Sequence, residues 1–274
     1  MPELPEVETV RRGLAPRIEG HRVESIAVSD PRLVARSPLP PTATLAGSKV
    51  EVLRRRGKWL LGDLDSGLTL VLHMRMSGRL LLGRADTRTS AATGPARATL
   101  VFDDGTTVRF VDQRRFGELL VLDADDTVAL ESRIGPDADT LGTAQLRDAV
   151  AGRSRPVKSA LTDQALVGGI GNMYADESLW GARLAPFRPC SSLTDAELRA
   201  LARAVRRIMR DAIAAGGTST RDGLYVDASG NAGWFAVELA VYQREGQPCP
   251  RCGSEIVRVV RGSTATRFCP ACQI

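Results

Sequence analysis

The chain has 274 residues, 43% of them hydrophobic and 25% charged, enough for two or three domains with cores of their own and unlike a disordered or fibrous sequence. It carries 37 Lys and Arg against 32 Asp and Glu, and its arginines cluster at Arg54-Arg55-Arg56, Arg114-Arg115, Arg153 to Arg155 and Arg206-Arg207, which suits either a polyanion such as nucleic acid or a solvated face. No apolar run reaches membrane-spanning length and no basic segment precedes an apolar one at the N-terminus, so a cytoplasmic protein without a membrane partner is expected.

The first element is a helix. Pro5 suits its first position, Glu6 and Glu8 fall where the helix dipole favours negative charge, and Val7, Val10, Leu14 and Ile18 recur at spacings of three, four and four. That stripe docks the helix and holds residues 2 to 6 against the body. Removal of Met1, which a small second residue permits, leaves proline's secondary amine at the terminus. A generic α-amino group has a pKa of ~7.7–8.0 against ~10.4 for lysine, so at pH ~7.5 roughly a third of it is free base, compared with about 0.1% of a lysine. A nucleophile is available there without special tuning.

Short runs of β type follow: Arg22 to Val28, Lys49 to Arg54, Trp59 to Asp63, Thr69 to Met74, Arg79 to Leu82, Ala98 to Phe102, Thr107 to Val111 and Glu118 to Leu122. Turn signals such as Asp65-Ser66-Gly67 and Asp103-Asp104-Gly105 bound many of them, which predicts a β-sandwich carrying the N-terminal helix. The stretch Ala85 to Ala96, rich in Ala, Thr, Ser and Gly, reads as a loop. From about residue 129 the pattern turns helical. Val167-Gly168-Gly169-Ile170-Gly171-Asn172 marks a sharp turn between two shorter helices, with backbone able to approach another group closely. Thr194-Asp195-Ala196-Glu197 is a capping box ahead of Leu198, Leu201, Val205, Ile208 and Ala212, and Gly216-Gly217 closes that helix.

Near the end, Cys249-Pro250-Arg251-Cys252 and Cys269-Pro270-Ala271-Cys272 are two C-x-x-C knuckles sixteen residues apart, the spacing of a four-thiolate zinc site. Glu255 to Val260 and Thr264 to Phe268 form a β-hairpin between them. About thirty residues build little core, whereas structural zinc contributes on the order of 10–16 kcal/mol of apparent binding free energy. One structural zinc is therefore expected, with a redox or disulfide role as the alternative. Neither histidine, His21 nor His73, is needed as a ligand, and Cys190 stands apart.

Pro2-Glu3-Leu4-Pro5-Glu6-Val7-Glu8-Thr9, Arg56-Gly57-Lys58-Trp59-Leu60-Leu61, His73-Met74-Arg75-Met76-Ser77-Gly78, Asp112-Gln113-Arg114-Arg115-Phe116-Gly117, Gly169-Ile170-Gly171-Asn172-Met173-Tyr174-Ala175-Asp176-Glu177 and Gly216-Gly217-Thr218 occur in that order ahead of the four-Cys finger. On these motifs the chain resembles, end to end, the formamidopyrimidine glycosylase/endonuclease VIII family. The resemblance implies an α+β multidomain enzyme: an N-terminal β-sandwich catalytic domain with a long N-terminal helix over residues 1–128, a helix-two-turn-helix DNA-binding domain with a lesion loop over 129–244, and a zinc finger over 245–274. It also implies a monomer that binds damaged double-stranded DNA in a cleft and acts as a DNA glycosylase and abasic-site lyase of base excision repair, finishing by β,δ-elimination.

By the same resemblance Pro2 is the Schiff-base nucleophile, Glu3 the proton donor at the sugar, and Lys58 the lysine that binds the phosphate beside the lesion and serves in elimination. Glu6 and Thr218 belong to the lesion pocket. Met76, Arg114 and Phe116 fill the void left by an extruded nucleotide, a step that costs a few kcal/mol. His73, Arg97, Arg115, Arg153, Asn172, Tyr242 and Arg261 are DNA contacts. Read without the family, Glu8 complements the helix dipole, Lys58 is a strand-edge lysine, Asn172 a helix cap, and Met76 and Phe116 core residues. Residues 217–233 align with the loop that closes over an oxidised purine, and Pro-Glu-Leu-Pro-Glu differs from the Pro-Glu-Gly-Pro-Glu of endonuclease VIII proteins. Oxidised purines such as 8-oxoguanine and formamidopyrimidines are the expected substrates, with oxidised pyrimidines, or damage binding without catalysis, as alternatives. One departure stands out. The family places an arginine five residues before the third cysteine, and here that residue is Thr264, flanked by Arg261 and Arg267.

Overall fold

The computed structural model describes residues 1–85, 94–220 and 223–274. Most of the loop expected over Ala85 to Ala96 lies outside the described residues, as do Arg221 and Asp222 of the 217–233 segment.

The turn-bounded runs of the N-terminal half become strands β1 (Val23–Val28), β2 (Val50–Arg56), β3 (Trp59–Leu64), β4 (Thr69–His73), β5 (Gly78–Arg84), β6 (Ala96–Phe102), β7 (Thr106–Asp112) and β8 (Glu118–Leu122). They pair antiparallel in two four-stranded sheets, β1-β6-β7-β5 and β2-β3-β4-β8. Because successive side chains point to opposite faces, β3 contributes Leu60 and Leu64 to the main core with Phe102, Phe110 and Leu119, while Leu61 joins Val71, Leu120 and Leu122 in a second cluster on the other face. Leu130 of helix α3 (Ala124–Ser132) packs against that second cluster.

Helix α1 spans Leu4–Ile18, and its expected stripe of Val7, Val10, Leu14 and Ile18 enters the main core. Each such burial contributes about 1.5–3 kcal/mol. Glu8 does more than complement the dipole. It is buried and pairs with Arg11 (2.9 Å), Arg12 (2.8 Å) and Arg55 (3.3 Å). Burial opposes its charge, but hydrogen bonds from Arg11 and Arg12 and the charges of Arg11 and Arg55 bring its pKa down to about 2. Arg54 in turn bonds to Asp63 and Glu131, so two members of the Arg54-Arg55-Arg56 cluster serve the fold rather than a polyanion.

The chain divides into two units, Met1–Ser132 with Ala215–Trp234, and Arg133–Ala214 with Phe235–Ile274. The family resemblance assigns 215–234 to the helical domain. The structure groups it with the sandwich because Tyr225 and Ala228 join the sandwich core and the Leu82 N–H donates to the Ala228 carbonyl at 2.8 Å. The second unit carries α4 (Thr143–Val150), α5 (Val157–Leu161), α6 (Asn172–Ala182), α7 (Asp195–Ala214) and the hairpin β9 (Val257–Arg261) and β10 (Thr264–Phe268). Helix α7 begins on the expected capping box: the Thr194 N–H donates to Glu197 at 2.8 Å and the Glu197 N–H to the Thr194 hydroxyl at 3.3 Å. The finger packs within this unit. Among the described residues, no helix is long and apolar enough to cross a membrane.

Candidate active site and nucleic-acid interface

In the first unit, the start of α1 is tied down by carboxylates. Pro2, Glu3 and Glu6 are buried, while Met1 is exposed. Glu3 caps the helix, its N–H donating to Glu6 Oε2 at 2.8 Å, and Glu6 Oε1 accepts the N–H of Thr218 at 2.9 Å. One carboxylate thus spans 212 residues of sequence and joins the terminus to the base of the 217–233 segment. That base is rigid. Gly217 has φ +83°, and a Cβ there would lie 2.9 Å from the Tyr225 ring, whose hydroxyl donates to the Gly216 carbonyl. Thr218 is also bridged to Trp234.

Lys58, in the turn joining β2 to β3, is 6% exposed and so is not a solvated strand-edge lysine. Burial pushes its pKa down, and the charges of Glu3 and Glu6 act against that shift. An amine held this way reaches its neutral form more readily than a surface lysine and can move a proton. His73, at the end of β4, is also buried, with its ring 4.3 Å from that of Trp59. Its Nδ1 accepts the N–H of Arg75 at 3.0 Å, which puts the ring proton on Nε2. Burial first, then the charges of Arg75 and Lys58, take its pKa to about 3, so it is a neutral donor at physiological pH.

Two turns between strands expose Met76, Arg114, Arg115 and Phe116, while Arg97 sits half-buried in β6. Met76 is 36% exposed and Phe116 53%, contrary to the core role that residue type alone suggests. Asp112, buried, holds the turns together. Its Oδ1 accepts from Ser77 Oγ at 2.5 Å and from the Arg114 N–H at 3.1 Å, and its Oδ2 from the Gly117 N–H at 2.7 Å. Gly117 is needed because a Cβ would lie 2.5 Å from the Phe110 ring. The Arg114 guanidinium sits 5.3 Å from the centre of the Phe116 ring. Arg97 Nε donates to the Asp112 carbonyl at 2.9 Å. Arg115 is bound through Nε to buried Asp30 at 2.5 Å, a hydrogen bond that holds the Asp30 carboxyl below its ordinary range. The bracing roles of Asp30, Asp112 and Ser77 have no signal in the sequence, because the Ser77–Asp112 and Asp30–Arg115 bonds join residues 35 and 85 apart.

In the second unit, Asn172 is the first residue of α6, and the cap itself is Gly171. Among the described residues the Asn172 side-chain oxygen has no hydrogen-bond partner. Glu177, on the same helix and buried, accepts the N–H groups of Ala240, Val241 and Tyr242 at 2.8–2.9 Å, which fixes the Tyr242 backbone relative to α6. Burial raises its pKa against the pull of those three bonds. Its neighbour Asp176 meets Lys158 Nζ at 2.6 Å and accepts the Arg267 N–H at 3.0 Å, while Lys158 also donates to Thr266 at 2.8 Å. This buried pair docks β10 on the helices. Arg153 is exposed and its Nε turns back to the Ala149 carbonyl at 2.9 Å.

The four finger sulfurs of Cys249, Cys252, Cys269 and Cys272 all lie within 4.8 Å of one another, with Cys249 to Cys272 at 3.9 Å and Cys252 to Cys269 at 3.5 Å. Tetrahedral Zn–S bonds of ~2.3 Å place sulfurs about 3.8 Å apart, so the four thiolates fit one structural zinc. Across the hairpin Thr264 pairs with Arg261, which is exposed and stacks 3.9 Å from the centre of the Phe187 ring. Arg267 is occupied differently: it bonds to Glu245 at 2.9 Å and stacks on Tyr242 at 4.7 Å.

Fold and site together define a zinc-finger DNA glycosylase built on a β-sandwich and a helix-two-turn-helix body. Residues 1–119 match the formamidopyrimidine-DNA glycosylase N-terminal domain, 134–223 its H2TH domain, and 246–274 the zinc finger found in FPG and IleRS. The chain belongs to the formamidopyrimidine-DNA glycosylase family. It is 42% identical to the formamidopyrimidine-DNA glycosylase of Chloroflexus aggregans, over 100% of this chain and 99% of that one, and 44% identical to that of Laribacter hongkongensis over the full length of both. Its structure matches that of the MutM (Fpg) protein from Thermus thermophilus with a TM-score of 0.87 and 39% identity, covering 99% of this chain and 98% of that one. It also matches Lactococcus lactis Fpg in complex with DNA containing an abasic site, with a TM-score of 0.89 and 32% identity over 99% of each chain.

Proposed function

We propose that the chain excises oxidised purines, 8-oxoguanine and formamidopyrimidines, from damaged double-stranded DNA and then cleaves the abasic site, acting as a monomer in the cytoplasm. The observation that carries this reading is the cluster at the start of α1, where Glu3, Glu6 and Thr218 are joined by hydrogen bonds next to Pro2 and the buried Lys58 feels both carboxylates. With Met1 removed, the Pro2 nitrogen attacks C1′ of the deoxyribose, the glycosidic bond breaks, and the base leaves with the bonding pair and a proton. Glu3 donates a proton to the ring oxygen as the sugar opens to an iminium. Loss of the now acidic C2′ proton then expels the 3′ phosphate. Lys58 holds the phosphate beside the lesion, and its lowered pKa suits it to proton transfer in that step.

Glu6 and Thr218 shape the lesion pocket. Met76, Arg114 and Phe116, exposed on turns that Asp112 braces, fill the stack once the nucleotide is extruded. Neutral His73 and the arginines Arg97, Arg115 and Arg153 support contacts to the backbone, as do Asn172 and Tyr242 of the second unit. At the finger, Arg261 supplies the charge that Thr264 lacks: it is exposed and directly opposite Thr264, whereas Arg267 is engaged by Glu245.

Turnover on an 8-oxoguanine:C duplex compared with a thymine-glycol duplex tests the substrate. Preference for 8-oxoguanine is expected, and preference for thymine glycol would move the chain to the endonuclease VIII side of the family. Binding of either duplex without turnover would make it a damage-binding protein.

A further inference from the structure

Helix α6 reaches the zinc centre through a side chain that is not a ligand. Trp180, near the C-terminal end of the helix, points its indole Nε1–H at Cys249 Sγ, 3.4 Å away. Indole nitrogen is a donor only, so the direction of this bond is fixed. Cys249 is buried, and Trp180 packs with Val241, Cys249, Ile256 and Cys269 in the small finger core, where water cannot readily replace a lost donor. The indole is itself braced: the Arg251 guanidinium lies 4.0 Å from its centre and donates to the Trp180 carbonyl at 3.0 Å.

We propose that Trp180 is a zinc-retaining residue, whose indole N–H bonds to the Cys249 thiolate and fastens helix α6 to the metal. Four thiolates around Zn²⁺ carry a surplus of two negative charges, and a hydrogen bond to sulfur spreads that surplus and helps fix the orientation of the thiolate toward the metal. Groups that orient ligands in this way are worth about 10–100-fold in metal affinity. Arg251 adds a positive charge beside the same indole.

The test uses the full chain loaded with one zinc and titrated with the chromogenic chelator 4-(2-pyridylazo)resorcinol. Trp180→Phe, which keeps an aromatic ring but no donor, is expected to hold zinc about 10–100-fold less tightly. Ile256→Ala, a change in the same small core without loss of a donor, lowers thermal stability and is expected to weaken zinc by much less. Zinc affinity unchanged in Trp180→Phe, or an equal loss in Ile256→Ala, would overturn the proposal. The wild-type protein substituted with ¹¹³Cd gives a reading that does not depend on either variant folding. A scalar coupling between the Trp180 indole proton and the metal is expected across the N–H···S bond, and its absence overturns the assignment.

Discussion

The N-terminal cluster and the zinc finger both hold a short segment still, and they do it by different means. Residues 2 to 6 are fixed by the apolar stripe of α1 in a large core and by two N–H groups on the Glu6 carboxylate. The finger has a small core around Val241, Cys249, Ile256 and Cys269, and relies on its thiolates and on the buried Lys158–Asp176 pair. Precision in the first region is therefore spread over many contacts, each worth a few kcal/mol, whereas in the second it rests on one metal and a few polar bonds. Both regions bury charge: Lys58 lies under the fields of Glu3 and Glu6 in the first, and Lys158 meets Asp176 in the second, which also presents Arg261 to solvent.

The largest effect that sharpens this contrast is expected at Glu6. Glu6→Ala leaves the N–H groups of Glu3 and Thr218 without their acceptor, and hydrogen bonds to a charged group are worth about 1.5–3 kcal/mol each. A loss of roughly 3–6 kcal/mol in urea unfolding is expected, with Glu6→Gln, which keeps one carbonyl acceptor, in between. A loss below about 1 kcal/mol would mean that the carboxylate does not hold the terminus.

Next is the acid response of His73. Its folded pKa of about 3 lies below the ordinary 6.5, so above pH 6.5 both states are neutral and its full contribution is present. Between pH 6.5 and 3 the unfolded chain takes up the proton first, and stability falls as pH falls, by about 1.4 kcal/mol per unit. His73→Asn, which keeps an acceptor for the Arg75 N–H, is expected to be less sensitive to a change from pH 7 to pH 4 by roughly 3 kcal/mol. Parallel unfolding curves for the two proteins would contradict the neutral imidazole.

The smallest effect belongs to the finger. Arg261→Ala is expected to reduce the slope of log affinity against log salt by about 0.9, the signature of one lost phosphate contact. Arg267→Ala is expected to leave that slope alone and loosen the hairpin, since its partner is Glu245. The reverse pattern would assign the compensating charge to Arg267.

Much of this architecture is legible in the sequence because it is locally encoded. Strand alternation bounded by turns, the stripe of α1, the capping box at Thr194 and the two C-x-x-C knuckles each carry their signal within a few residues. What escapes is the pairing of charges far apart in the chain, such as Glu8 with Arg55, Asp30 with Arg115, and Glu6 with the Thr218 N–H. The membership of 215–234 in the first unit escapes for the same reason, since Tyr225 is a lone aromatic whose burial no local periodicity announces. Met76 and Phe116 look like core residues by type, and only the family resemblance pointed outward. The structure exposes both because Gly117 and Asp112 bend the chain there.

The central claim is that the amine of Pro2 forms the covalent intermediate. Borohydride trapping on an abasic duplex, using protein whose Met1 removal has been verified by intact mass, tests it most directly. A covalent adduct that maps to the N-terminal peptide at Pro2, and that falls sharply in Pro2→Gly, is the expected result. An adduct undiminished in Pro2→Gly, or one that maps to Lys58, would contradict it.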